Sequence, residues 1–156
     1  MRVMGLALAA LVAAGCAKTV KVESDPNSGK VDVDVQRTGA AEGWSATLTP
    51  MNGSSVSGSA RGTTGHDMTM VTVNVSGAQA GATLPWHIHE GKCTDASPPV
   101  VGPASAYPPL HIGPGGTATA QVHLTMDLNE AKDYIINVHA SPTNLGTIVS
   151  CGDLND

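Results

Sequence analysis

From Trp44 onward the chain never runs more than about twelve residues before Gly, Pro or Asn interrupts it, and between interruptions apolar and polar residues alternate. A period of two puts successive side chains on opposite faces of a strand, so this rhythm admits strands with one buried face and little else. It predicts strands over residues 44–49, 55–61, 67–75, 83–89, 117–126, 133–139 and 147–151. The one helical hint, Leu128-Asn129-Glu130-Ala131-Lys132, is too short to be more than a turn. Many short strands at this spacing imply an all-β sandwich or barrel, and residues 44–156, roughly 113 of them, suit one domain. No internal repeat, phosphate-binding loop or serine set beside a base is present.

The segment before this domain has a different composition. Residues 1–16 carry Arg2, an apolar stretch from Val3 to Ala14, then Gly15-Cys16, which is the charged, apolar and small-residue succession of a signal peptide. Ala13-Ala14-Gly15-Cys16 resembles a bacterial lipobox, which implies lipid attachment at Cys16. The apolar run is too short for a stable span, so any association with a membrane is expected through the lipid anchor alone. Ala17-Lys18 follows with no aspartate, which by the sorting habit of such lipoproteins favours an outer membrane where the host has one, on its periplasmic or cell-surface face. Residues 17–43 are polar, with Ser24-Asp25-Pro26-Asn27-Ser28-Gly29 and one alternating stretch, Lys30-Val31-Asp32-Val33-Asp34-Val35. They read as a tether with one added strand.

Charge and cysteine count narrow the partners. The chain has 8 Lys and Arg against 13 Asp and Glu, a formal charge of -5, and losing residues 1–15 removes only Arg2 and takes it to -6. Nucleic acid and anionic lipid surfaces are therefore not expected as partners. With Cys16 assigned to lipid, Cys93 and Cys151 remain. An exported compartment permits them to pair as a disulfide; the alternative is a pair of soft copper ligands.

Trp86-His87-Ile88-His89-Glu90 puts two imidazoles on one face of a strand, with Cα atoms roughly 6.6 Å apart, a gap one metal ion can bridge. His139 ends the apolar run Tyr134-Ile135-Ile136-Asn137-Val138, and two paired strands would bring all three together. Neutral imidazole suits copper and zinc. The competing reading is a set of polar residues at a sheet rim, but a chain with six histidines and no Phe has little reason to place three imidazoles in its packing. Trp86 is expected on the opposite, core face. Glu90 and Asp95 read as loop carboxylates in preference to acceptors orienting a histidine N–H.

Over Trp44 to Leu154 these motifs resemble the Cu/Zn superoxide dismutase family, an eight-stranded Greek-key β-sandwich. Val73-Asn74-Val75-Ser76-Gly77 through Gly81 to Trp86-His87-Ile88-His89-Glu90 is similar to that family's third strand and first copper strand. Cys93-Thr94 with Cys151-Gly152 resembles its disulfide, His111-Ile112-Gly113 the segment bearing one zinc histidine, and Asn137-Val138-His139 with Asn144-Leu145-Gly146 the strand and turn bearing the last copper histidine. The resemblance implies copper on His87, His89 and His139, with His111 a candidate fourth ligand if its Pro/Gly-rich loop folds over.

The departures from that pattern bear on chemistry. Pro99 stands where the family's metal-bridging histidine lies, Pro114 where a zinc aspartate is expected, and no second zinc histidine occurs between Cys93 and His111. Zinc is accordingly not expected. Ile148 stands in place of the catalytic arginine, and only Thr147 to Ser150 separate Gly146 from Cys151, so the charged guiding loop is missing. Superoxide as substrate, with weak dismutation or none, is the enzymatic expectation; copper capture or delivery in the envelope is the binding one. A second resemblance, to the chordin-type CHRD domain, rests on the His-Ile-His segment, Gly116-Thr117-Ala118-Thr119-Ala120 and Tyr134-Ile135-Ile136-Asn137-Val138-His139-Ala140, and implies a metal-free structural sandwich.

One further pattern lies outside both resemblances. In His66-Asp67-Met68-Thr69-Met70-Val71-Thr72-Val73 the valines Val71, Val73 and Val75 make the core face, which puts His66, Met68 and Met70 on the solvent face. The partner strand expected from the dismutase topology presents His123 opposite Met70. Imidazole with thioethers favours Cu(I), so these four residues form a second candidate copper site.

Overall fold

The structure, a computed structural model, describes residues 18–24, 31–37 and 41–156. The leader 1–16 and the lipidation candidate Cys16 lie outside the described residues. The chain divides into two compact units, Met1–Ala40 and Ala41–Asp156. In the first, β1 (Lys18–Ser24) pairs antiparallel with β2 (Val31–Arg37), setting Val20 opposite Val35 and Val22 opposite Val33. The stretch read as a tether with one strand thus holds two; the added one comes from the Thr19-Val20-Lys21-Val22 alternation.

The second unit contains β3 (Glu42–Pro50), β4 (Ser57–Gly65), β5 (Met68–Ser76), β6 (Thr83–Leu84), β7 (Trp86–Glu90), β8 (Leu110–His111), β9 (Ala118–Leu124), β10 (Tyr134–Ser141) and β11 (Asn144–Leu154). A single 3-10 turn, Ala104–Ala106, is the one helical element among the described residues. Seven strands form one antiparallel sheet in the order β7-β10-β11-β3-β4-β5-β9, curled into a half-barrel. The short pair β6–β8 sets β6 against β10, second in that order, and β8 against β9 at its far end.

Alternation produces the core directly. On β3, Trp44, Ala46 and Leu48 are buried while Ser45, Thr47 and Thr49 are exposed; on β5, Val71, Val73 and Val75 are buried; on β9, Ala120, Val122 and Leu124 are. The register sets Gly62 and Gly58 of β4 opposite Trp44 and Leu48, with Ala60 opposite Ala46 between them, so the large side chains of β3 face glycines across the pair. The expected strand 83–89 is divided at Pro85, which has no N–H to give a ladder; its carbonyl instead accepts the His139 N–H at 2.8 Å.

β7 and β10 differ from the rest in being covered on both faces. Trp86 and Ile88, with Tyr134, Ile136 and Val138 across from them, join the main core. Trp86 Nε1–H donates to the Pro108 carbonyl at 2.8 Å, which makes this large indole compatible with complete burial. The opposite face carries His87, His89, Ile135, Asn137 and His139, all buried, and the chain that leaves β7 comes against His89 at Pro98. That chain is fixed by a disulfide between Cys93 and Cys151, Cα atoms 6.0 Å apart, so the two thiols are not free ligands.

Candidate metal centre

His87 and His89 share a face because they alternate on β7, and His139 reaches them from β10, the neighbour of β7. The β10–β11 register shifts between Val138 and His139, so the backbone at the third histidine departs from regular pairing. One nitrogen from each ring lies within 4.8 Å of the others. Ligand nitrogens around one three-coordinate ion sit about 3.5 Å apart at metal–nitrogen bonds near 2.0–2.1 Å, so side-chain adjustments of about an ångström complete the set. The rings meet edge to face, His87 with His139 at 5.0 Å and with His89 at 5.8 Å between centroids.

The hydrogen bonds fix which nitrogens are available. His89 Nδ1–H donates to the Pro98 carbonyl at 2.7 Å, and His139 Nδ1–H to the Leu145 carbonyl at 2.7 Å. A neutral imidazole that donates through Nδ1 keeps its lone pair on Nε2. The Nε2 of His139 receives His87 Nδ1 at 3.0 Å; the Nε2 of His89 is buried and has no hydrogen-bond partner at all. A buried polar atom without a partner is destabilising unless something occupies its lone pair, and a cation between the rings would do so. On binding, His87 would move its proton to Nε2 and present Nδ1, completing a set of three neutral nitrogen donors.

Burial also sets the protonation state. The His87 pKa falls from 6.5 to about 4, chiefly because burial penalises the cation and further because His139 and His89 adjoin it. His89 and His139 are lowered too, again chiefly by burial, against the opposing pull of the carbonyls they donate to. All three are therefore neutral at pH 7. Tyr107 closes one side of the group, its ring 5.2 Å from His87, with its hydroxyl donating to the Val101 carbonyl at 2.6 Å and its own pKa pushed up to about 12 by burial.

The remaining candidates stand elsewhere. His111 lies outside the three-histidine group; it is exposed on β8, with Nδ1 3.4 Å from Thr83 Oγ1. Glu90 pairs with Lys132 at 2.8 Å, and Asp95 accepts the Lys92 backbone N–H at 2.7 Å, so both serve the loop and neither orients a histidine. That orienting work belongs to the carbonyls of Pro98 and Leu145. No side-chain signal could have marked them, since every residue carries a carbonyl. On the outer face, Met70 is paired with His123 across β5 and β9, Met68 is exposed, and His66 stands not on the strand but in the β4–β5 turn, where it and Asp67 adopt positive φ of 59° and 58°. No protein-family model matches the chain, and comparison with curated proteins finds no match.

Proposed function

We propose that this chain is an exported, lipid-anchored copper-binding protein whose domain is a Greek-key sandwich of the superoxide dismutase type, holding copper through His87, His89 and His139 without a zinc partner. The observation that carries the reading is the buried, unpartnered His89 Nε2 facing two further imidazoles whose orientation is fixed by backbone carbonyls. Three neutral nitrogens with no carboxylate among them favour copper over harder cations, and the same donor set accommodates trigonal Cu(I) and, with an added water, Cu(II). Bound copper would supply one-electron reduction and reoxidation, as dismutation of superoxide requires.

What the chain itself contributes is holding and shielding more than catalysis. Ile148 is where a guiding arginine would stand, and the nearest cations of the loop, Lys92 and Lys132, face Asp133 and Glu90. The charged attraction that draws an anion to a metal is missing from these residues. Capture or delivery of copper is thus the favoured role, with dismutation weak or nil. The deciding experiment loads the full chain with copper or zinc, counts bound metal, and follows superoxide decay on the same sample, with His89→Gln and His111→Ala beside the parent. One copper lost in His89→Gln and kept in His111→Ala supports the reading; copper-dependent decay would assign dismutation, and zinc retained in preference to copper would overturn the metal assignment.

A further inference from the structure

Three of the four methionines after residue 50 lie at one corner of the sheet: Met68 and Met70 on β5, and Met126 just beyond β9. Packing does not account for Met68, which is 52 % exposed, nor for Met70, which is half-buried on the outward face while Thr69 and Val71 fill the inward one. Outward positions of a strand favour β-branched or polar residues such as Thr72, so two thioethers at alternate positions are a departure that local propensity does not explain.

The partner across the ladder is a histidine. Met70 is the Cα partner of His123, which is also outward and exposed. Directly opposed residues have Cβ atoms about 4.5–5.5 Å apart and diagonal ones about 7–8 Å, so Met70, His123 and the diagonal Met68 can bring two sulfurs and a nitrogen onto one small ion. A thioether and imidazole set is soft and uncharged, the donor chemistry of Cu(I).

His123 is also oriented in advance. Its Nε2 lies 2.9 Å from Gln121 Oε1, and the Gln121 amide donates its own N–H to Thr72 Oγ1 at 2.8 Å. With the amide nitrogen committed to Thr72, Oε1 is the acceptor and Nε2–H the donor, which leaves the lone pair on Nδ1. A ligating imidazole is held in this way, its second nitrogen donating to a neighbouring oxygen. His66 takes no part in this set, since the turn it occupies removes it from the face of the strand.

We propose that Met68, Met70 and His123 form a surface site for Cu(I), separate from the buried three-histidine group. An exposed site built of neutral soft donors can take a monovalent ion from a soluble carrier and yield it again, which a buried, carbonyl-braced site cannot do as readily.

The test uses the full chain carrying Cys16→Ser, which removes the one thiol outside the disulfide, with ascorbate to hold copper reduced and bicinchoninate as competing chelator. The chain is expected to bind two Cu(I), and Met68→Leu with Met70→Leu is expected to bind one, with unchanged far-ultraviolet circular dichroism because both positions face solvent. If the buried histidines bind no Cu(I), the counts become one and none and the inference stands. Silver(I) added to protein labelled at the methionine methyls should move the Met68 and Met70 resonances and leave Met51 in place. Equal Cu(I) counts in the two proteins, or Met68 and Met70 methyls that silver does not move, would overturn the proposal.

Discussion

Acidification should unfold this domain earlier than its carboxylates alone would require, and His87 sets the size of the effect. In the metal-free folded chain its pKa is about 4, against 6.5 when exposed, with burial the first cause. Between those values the unfolded chain binds a proton that the folded chain refuses. Stability therefore rises with pH across the interval, is fully present above about pH 6.5, and is lost as the pH falls toward 4, below which both states are protonated. Each unit of that interval is worth about 1.4 kcal/mol, so His87 alone removes about 3 kcal/mol, a large share of the 5–15 kcal/mol typical of a domain. His89 and His139 are shifted in the same direction and steepen the slope. The assay is urea denaturation of the chelator-treated chain at half-unit steps from pH 7.5 to 4.5, repeated on His87→Gln. The stability difference between the two proteins should change by about 3 kcal/mol between the ends of the range. A wild-type curve that is flat from pH 6.5 to 4.5, or one of the same slope in His87→Gln, would refute the claim that burial keeps these imidazoles neutral.

Other consequences can be measured separately. Because burial keeps all three imidazoles neutral at pH 7, metal binding there should release no proton from them, so calorimetric binding enthalpies should not vary with the ionisation enthalpy of the buffer, and a buffer dependence at pH 7 would contradict the shifts. Replacing Cys93 and Cys151 by alanine opens a link spanning 58 residues of sequence and should lower unfolding free energy by about 4 kcal/mol in denaturant titrations, with a further loss of metal affinity because the freed loop carries Pro98. Gly152→Ala places a methyl group against the Thr47 carbonyl of β3, a close approach between strands that leaves no room for a Cβ, and should cost roughly 1–3 kcal/mol by thermal or chemical melting.

The strands were legible where one face is buried and the other wet. On β3, β5 and β9 the alternation Trp44-Ala46-Leu48, Val71-Val73-Val75 and Ala120-Val122-Leu124 marks both the element and its inward face, whereas the pairing of Met70 with His123 was expected from the dismutase resemblance and not from the alternation. The same reasoning placed a strand over 133–139 but could not tell the two faces of β10 apart, since Tyr134 to His139 are buried without interruption. A strand covered on both sides has no period to read. The division of the 83–89 stretch follows from the missing N–H of Pro85, a local rule that the surrounding alternation obscured. Of the candidate metal centre, the three histidines were visible in the spacing His87-Ile88-His89 and in the run ending at His139; their tautomers were not, because those depend on carbonyls brought in by tertiary structure. His111 could not be placed from sequence for a related reason, since its position depends on how a Pro/Gly-rich loop closes, and the pairing of β8 with β6 keeps its Nδ1 on Thr83.

The disulfide and the metal centre form one mechanical unit. Cys151 lies opposite Asn137, and Asn137 opposite His87, so the bond is anchored on β11, with only β10 between it and the strand of the first ligand. From Cys93 the loop turns through Asp95, which accepts the Lys92 N–H, and reaches Pro98, whose carbonyl orients His89; Val101 N–H then donates to the Ile88 carbonyl at 2.9 Å and returns the chain to β7. The other bracing carbonyl, Leu145, belongs to the start of β11, the strand that carries Cys151. Both orienting groups are thus tied to the same covalent link. A loop this length would otherwise hold Pro98 with the latitude of a surface segment, and a ligand nitrogen displaced by an ångström loses its bond. The sulfurs of the link are consumed by each other, which leaves the three imidazoles as the group among the described residues that could hold a metal ion.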